Sequence, residues 1–259
     1  MIHYITQDPL WVRIFQASGT MLLVFLALFV AHRFGIKLLR EGGLALLRGL
    51  LQVVGVGLLL VAVFRGPSWL APIVLLCMMG IGTQIASSRV HKLPRTRTII
   101  FSSILLSVGV SLVLTLALGI IETRSTAMIP IGSMMIANAM NTISLALERL
   151  QGEIKSHTGQ IEAALSLGAS PAQAIAPMIQ TAVQASLIPR IDTMRSLGIV
   201  WIPGLMTGML LGGEDPLRSA LYQFVIVALI LGVGAFASLS AVLMLRPALF
   251  NQAEQLLEN

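Results

Sequence analysis

Few residues in this 259-residue chain have chemistry to offer, and most are isolated amides, thioethers and short turn motifs. Gln52, Gln84, Asn138, Asn141 and Gln223 sit inside long apolar runs, where a polar side chain must find a partner or water. Such amides can line a path through a bundle, or they can hydrogen-bond one helix to another. Asn138 and Asn141 share a run with Met134, Met135 and Met140, and Met206 and Met209 fall in a later one. Thioethers suit soft ions, although methionine also fills irregular gaps in apolar cores. A harder ion calls for clustered carboxylates or imidazoles, and His3, His32, His91 and His157 are dispersed, so the sequence assigns no metal ligands. Cys77 is the single cysteine; in the middle of an apolar run it is expected to be a buried structural thiol. No G-x-x-x-x-G-K-S/T motif is present to cradle the phosphates of ATP. Gly232-Val233-Gly234-Ala235-Phe236-Ala237 imitates a dinucleotide fingerprint, but no strand precedes it and a small-residue packing stripe is the better reading. No His, Cys or acidic pair recurs at catalytic spacing within the apolar runs, which argues against an enzyme.

The elements that must position these residues follow from composition. With 56% apolar and 11% charged residues, and a mean hydropathy of +0.89, the chain is built to sit in lipid. The net charge of +6 forms no basic stripe with interleaved aromatics, so no nucleic-acid partner is expected. A spanning helix needs about 20 mostly apolar residues. Seven runs qualify, at about 14–31, 44–64, 69–87, 98–121, 127–147, 197–211 and 217–245. The sixth is short and carries Pro203, so it is either broken or begins earlier.

Lysine and arginine alternate between the two sides. Arg33, Lys37, Arg40 and Arg48 flank the first connection, Arg89, Lys92, Arg95 and Arg97 the third, and Arg149, Lys155, Arg190 and Arg195 fall in the long fifth. Basic loops stay in the cytoplasm, so the reading is an all-α, polytopic transmembrane bundle with its N-terminus outside and its C-terminus inside. Residues 1–259 form a single membrane domain in this reading, with a cytosolic helical loop at about 148–196. The first ten residues lack the pattern of a cleaved secretory signal, so the first run is kept as an anchor.

Within the long loop, Ile154, Ile161 and Leu165 fall on one helical face, Gly168 supplies a helix stop, and Ser170 with Pro171 supplies an N-cap and N1 pair. The spacing predicts a helix, a tight turn and a second helix with Ile175, Met178, Ile179, Ala182, Val183 and Leu187 on one stripe. Gly204, Gly208 and Gly212 recur every four residues beside Pro203. Such a stripe lets helices approach closely, either in a dimer, along a path-lining broken helix, or against another span of the same subunit.

The segment Glu162-Ala163-Ala164-Leu165-Ser166-Leu167-Gly168-Ala169-Ser170 resembles the EAA loop of ABC permeases, which docks into a groove of the ATPase. The downstream Ile and Leu-Pro of that loop are absent, with Met178, Gln180 and Thr181 in their place. A longer resemblance runs from about Ile129 to Val227. It is carried by Ile129-Pro130-Ile131, Asn138-Ala139-Met140, Leu165 to Pro171, Ile188-Pro189, Asp192, Gly198, Ile202 to Gly208, Asp215-Pro216 and Gln223. In these stretches the chain is similar to the iron-export ABC transporter permease family, which includes permease-like subunits of plant aluminium tolerance.

The resemblance implies a bacterial-type inner-membrane permease, assembled as a pair with a cytosolic ABC ATPase that would hold ATP and magnesium, with no cofactor on this chain. It implies export of iron or a metal-linked solute. Glu162, Leu167, Gly168, Ala169, Ser170 and Pro171 would couple to the ATPase, and Gln52, Asn138, Asn141, Met206 and Gln223 are the candidates for the path. An ion-coupled carrier or a non-transporting assembly factor are the rival readings.

Overall fold

The computed structural model describes residues 9–36, 38–90, 95–251 and 253–257. His3, Lys37, His91 and Lys92, invoked above, lie outside these described residues, as do the first eight residues of the chain. Among the described residues the regular structure is helical. Ten α-helices follow one another: α1 (Leu10–Arg33), α2 (Leu39–Arg65), α3 (Leu70–Arg89), α4 (Thr96–Ala117), α5 (Ser125–Ser156), α6 (Thr158–Ser166), α7 (Pro171–Ala174), α8 (Ala176–Ser196), α9 (Gly204–Leu211) and α10 (Pro216–Leu245). A 3-10 turn, Arg246–Leu249, closes the last. Six of them, α1 to α5 and α10, are long and apolar enough to cross a membrane. They correspond to six of the seven predicted runs, and the protein is a multi-pass membrane protein.

The chain forms two compact units, Met1–Gly66 and Pro67–Asn259. In the first, α1 and α2 pack on each other, with Gly42 so close to Leu28 that an added Cβ would come within 2.7 Å of its Cδ1. Both helices present apolar side chains all round, as helices in lipid do.

In the second unit α5 is the spine, touching α3, α4, α8 and α10. Small residues set these contacts, because apolar burial gives no preference between neighbours in lipid and close packing decides. Gly132 of α5 abuts Leu75 of α3, and Gly82 of α3 abuts Ile136 and Met140 of α5, so these two helices run in the same direction. The start of α4 meets the end of α10 in a groove lined by Arg95, Thr98, Ile99, Met244, Pro247 and Ala248, so α4 and α10 run oppositely. Asn138 Nδ2 donates to the Ile230 carbonyl across α5 and α10 at 2.6 Å. The buried side of α3 carries Ala71, Leu75, Met79, Thr83 and Ala86. Cys77 faces away from that stripe and is exposed within this chain, contrary to the expectation of a buried thiol.

Several predicted boundaries fall elsewhere: α2 begins at Leu39 rather than 44, and α4 stops at Ala117 rather than 121, just before Gly119 takes a left-handed φ of +67°. The fifth run continues as helix through Ser156, about two turns past its apolar part, because Glu148 to Ser156 change the hydropathy without breaking the backbone ladder. Arg149 Nη2 supports that extension at 2.7 Å from Glu153 Oε1. The sixth run, 197–211, holds only the eight-residue α9, and residues 197–203 are uncoiled. There the Ser196 carbonyl accepts from the amides of Ile199, Val200 and Trp201, and Gly198 N–H donates to Trp201. The preceding α8, read from sequence as part of a cytosolic loop, packs along α5 and α10. Thus α8, the uncoiled segment and α9 form one discontinuous run.

A Cβ on Gly234 would lie 2.8 Å from Asn138 Nδ2 and 3.0 Å from Thr142 Oγ1. Gly234→Val is therefore expected to prise α10 from α5 and destabilise the protein by about 1–3 kcal/mol, read as a lower unfolding midpoint in detergent. Gly232→Ala, whose Cβ meets open space, is the matched control and should be neutral or slightly stabilising.

Candidate functional site

The turn between α6 and α7 is built by local chemistry at every position. At the end of α6 the Ala169 amide bonds the Ala164 carbonyl and the Gly168 amide bonds the Leu165 carbonyl, both at 3.0 Å. That pair of bonds is a Schellman closure, and it requires the left-handed φ of +88° found at Gly168. Ser170 then starts α7 with a reciprocal capping box. Its Oγ accepts from Gln173 N–H, its own N–H donates to Gln173 Oε1, and Pro171 occupies the first helical turn.

Ile161 and Ile175, one on each side of the turn, are fully buried and anchor it. Its tip is the opposite: Leu167 is 88% exposed, an apolar side chain held out by a rigid turn. Glu162 is exposed on α6, at the mouth of a cleft of about 700 Å³. The far wall of that cleft is the C-terminal segment Ala253, Glu254, Gln255 and Leu256, which sequence reasoning missed. Asn251 shapes the segment, its Oδ1 accepting from the amides of Ala253 and Gln255 at 2.9 Å.

Of the five path candidates one lies in the first unit, and of the four in the second only Met206 and Gln223 meet. Gln52 is exposed on α2, in the first unit, and Asn141 is exposed on α5. Asn138 is 3% exposed and ties α5 to α10 through its amide nitrogen, while its Oδ1 has no protein partner. Met206 and Gln223 do meet: Gln223 Oε1, buried, accepts the Met206 N–H at 3.2 Å. Gln223 thereby caps the start of α9, satisfying an amide that a helix beginning at Gly204 would leave without a partner.

Pro203 is buried at the head of α9, whereas Gly204 and Gly208 face open space. Gly212, at the C-cap, lies against the Met209 and Gly208 carbonyls of its own helix. Among the described residues of the second unit, nothing packs on Gly204 or Gly208. Among the methionines, Met128 and Met135 are buried in the core and Met134 is exposed. Among the described residues no three His, Cys, Asp or Glu side chains converge on a point that could hold a metal ion.

The family model described as an uncharacterised protein family, UPF0014, matches residues 14–250. The chain belongs to UPF0014. Three relatives illustrate the reach of the family. A UPF0014 membrane protein, slr1647, of Synechocystis is 35% identical over 229 residues, covering 85% of this chain and 86% of the relative. The protein ALUMINUM SENSITIVE 3 of Arabidopsis thaliana is 28% identical over 243 residues, 93% of this chain and 89% of its own length. In Escherichia coli, the relative named as a probable iron export permease, FetB, is 28% identical over 257 residues, 98% of this chain and 96% of its own. These relatives agree with the family resemblance read from the Ile129 to Val227 stretches. No solved structure matches the chain.

The position of Gly168 in open space makes a clean test of the UPF0014 turn, since substitution there strains only the backbone. Gly168→Val is expected to cost the turn about 1–2 kcal/mol, and Ser170→Ala about 1 kcal/mol through the lost cap. Both should appear as faster amide hydrogen exchange across residues 158–174 while exchange in α3, α5 and α10 stays unchanged.

Proposed function

We infer that this chain is the permease subunit of an ABC-type transporter, paired in the membrane with a second copy and driven by a separate cytosolic ATPase. The observation that carries the reading is the α6–α7 turn. It is locked by a Schellman closure and a capping box, anchored by Ile161 and Ile175, and tipped by the exposed Leu167. An apolar side chain held out at the tip of a locked turn suits insertion into a pocket of a partner. Glu162 and Glu254 on the neighbouring cleft offer carboxylates to basic groups of the same partner.

Its position supports the reading. The turn follows the end of α5 that carries Arg149 and Lys155, basic residues that fit the cytoplasmic side where an ATPase would be, although Arg190 and Arg195, read from sequence as part of the same loop, lie at the far end of α8. The chain carries no nucleotide-binding motif, so hydrolysis, ATP and magnesium would belong to that partner. The unoccupied glycine face of α9 supports pairing of two permease copies there. FetB, named for iron export, supports iron or a metal-linked solute as the cargo and outward transport as the direction. ATP binding would close the ATPase pair and, through the turn, shift the permease between its two open states.

The decisive experiment coexpresses the chain with its candidate ATPase and compares Leu167→Asp with the unchanged protein. Loss of an apolar anchor at a docking site is expected to cost about 2 kcal/mol or more. Copurification and permease-dependent ATP hydrolysis should therefore fall by at least about tenfold, with membrane insertion intact. Normal pairing and normal coupled hydrolysis in Leu167→Asp would sink the assignment of the turn.

A further inference from the structure

The discontinuous run formed by α8, the uncoiled segment and α9 carries three charged side chains on a helix packed along the spans α5 and α10. α8 begins at Ala176, directly after the α6–α7 turn at the end of α5, and lies along α5 and α10. Its far end is fixed through α9, whose Met206 amide is bonded to Gln223. Gln223 lies about 10 Å along α10 from Pro216, at 1.5 Å per residue. The link 197–203 folds back on Ser196 and adds little length. The last two turns of α8 therefore fall near the middle of α10, a helix about 45 Å long. Those turns contain Arg190, Asp192 and Arg195.

One face of α8, with Met178, Ala182 and Ser186, is buried against its neighbours. The opposite stripe, Thr181, Gln184, Ile188, Asp192 and Arg195, is exposed. Arg195 Nη1 and Asp192 Oδ1 are 3.4 Å apart, with 78% and 58% of their side chains exposed, and Arg190 is half-buried on the flank. Charges at this depth face a water-filled cavity or a partner rather than acyl chains. The backbone beside them makes the same demand independently. Among the described residues none donates a hydrogen bond to the carbonyls of Leu197, Gly198, Ile199 or Val200, and irregular backbone inside a membrane is tolerated only where it is covered by protein or lines water.

The sign of this wall follows from the sequence. Across 70–89, 96–117, 125–147, 204–211 and 216–245 there is no aspartate or glutamate, and within α8 Asp192, 3.4 Å from Arg195, is the single carboxylate beside two arginines. We propose that the exposed stripe of α8 and the uncoiled segment form the wall of the aqueous path, and that Arg195, reinforced by Arg190, recognises an anionic, carboxylate- or phosphate-bearing solute. A metal would then travel as an anionic chelate rather than as a bare cation. Guanidinium suits this work because its planar donors match oxyanions two at a time. Asp192, 3.4 Å from Arg195, is the carboxylate that an anionic solute would displace from it. The inference rests on the permease reading for the direction of transport, but not for the binding chemistry.

Isothermal titration of the full chain in nanodiscs with citrate, iron(III) citrate and Fe(II) alone tests it without the ATPase. Both citrate-bearing ligands, or the iron complex alone, are expected to bind. Arg195→Gln should weaken that binding at least tenfold, Arg195→Lys less, and Asp192→Asn should leave it equal or tighter. Tenfold preference for the iron complex would identify the chelate as cargo, and equal affinity would identify the free anion. Binding of Fe(II) alone that is lost in Asp192→Asn and kept in Arg195→Gln overturns the proposal in favour of a cation site, and so does failure of every ligand to bind. If anion binding survives while Leu167→Asp still pairs normally with the ATPase, the coupling assignment fails and the path assignment stands.

Discussion

A peptide group surrounded by hydrocarbon has no solvent to bond, and this single constraint organises the molecule. It explains why the regular structure among the described residues is helical, with a ladder that satisfies each segment from within. It also explains why the exceptions are informative. Where the ladder stops at Ser196, one carbonyl takes three amides, and Gln223 reaches from α10 to take the amide of Met206. Such repairs are what a chain must provide when its helix is broken away from bulk water.

The second organising fact is close approach. With no apolar preference to sort helix from helix, α5 is held by places where a side chain is missing: Gly132 under Leu75, Gly82 under Ile136 and Gly234 under Asn138. Asn138 shows how one residue serves both principles. It fills the space that Gly234 leaves and donates across the contact to Ile230. Its polar group is therefore part of the joint between α5 and α10, where a reading of composition alone also allowed a channel lining.

Legibility in the sequence tracked how local the determining physics is. The six long helices were readable because hydropathy over 20 residues needs no knowledge of neighbours, and their ends shifted where helix and apolar run part company: α5 runs on from Glu148 to Ser156, and α4 stops at Ala117 while the apolar residues continue to Ile121. The α6–α7 turn was readable to the residue, since Gly168, Ser170 and Pro171 act on their own backbone. The uncoiled segment was signalled by Pro203 but not its extent, because Leu197 to Ile202 are nearly all apolar and read as span. The roles of Asn138 and Gln223 depend on partners 92 and 17 positions away, and the C-terminal wall of the cleft faces residues nearly a hundred positions earlier. No periodicity carries that information.

The rigid turn and the uncoiled segment are joined by α8. α8 is about 31 Å long, and Pro189 inside it interrupts the hydrogen-bond ladder seven residues before its end. It is therefore two straight pieces with a joint rather than one stiff rod. A tilt of about 5° carried rigidly over the whole length would swing the far end sideways by about 3 Å, and a joint at Pro189 absorbs part of that travel. Pro189 thus sets how much of any tilt at one end of α8 arrives at the other.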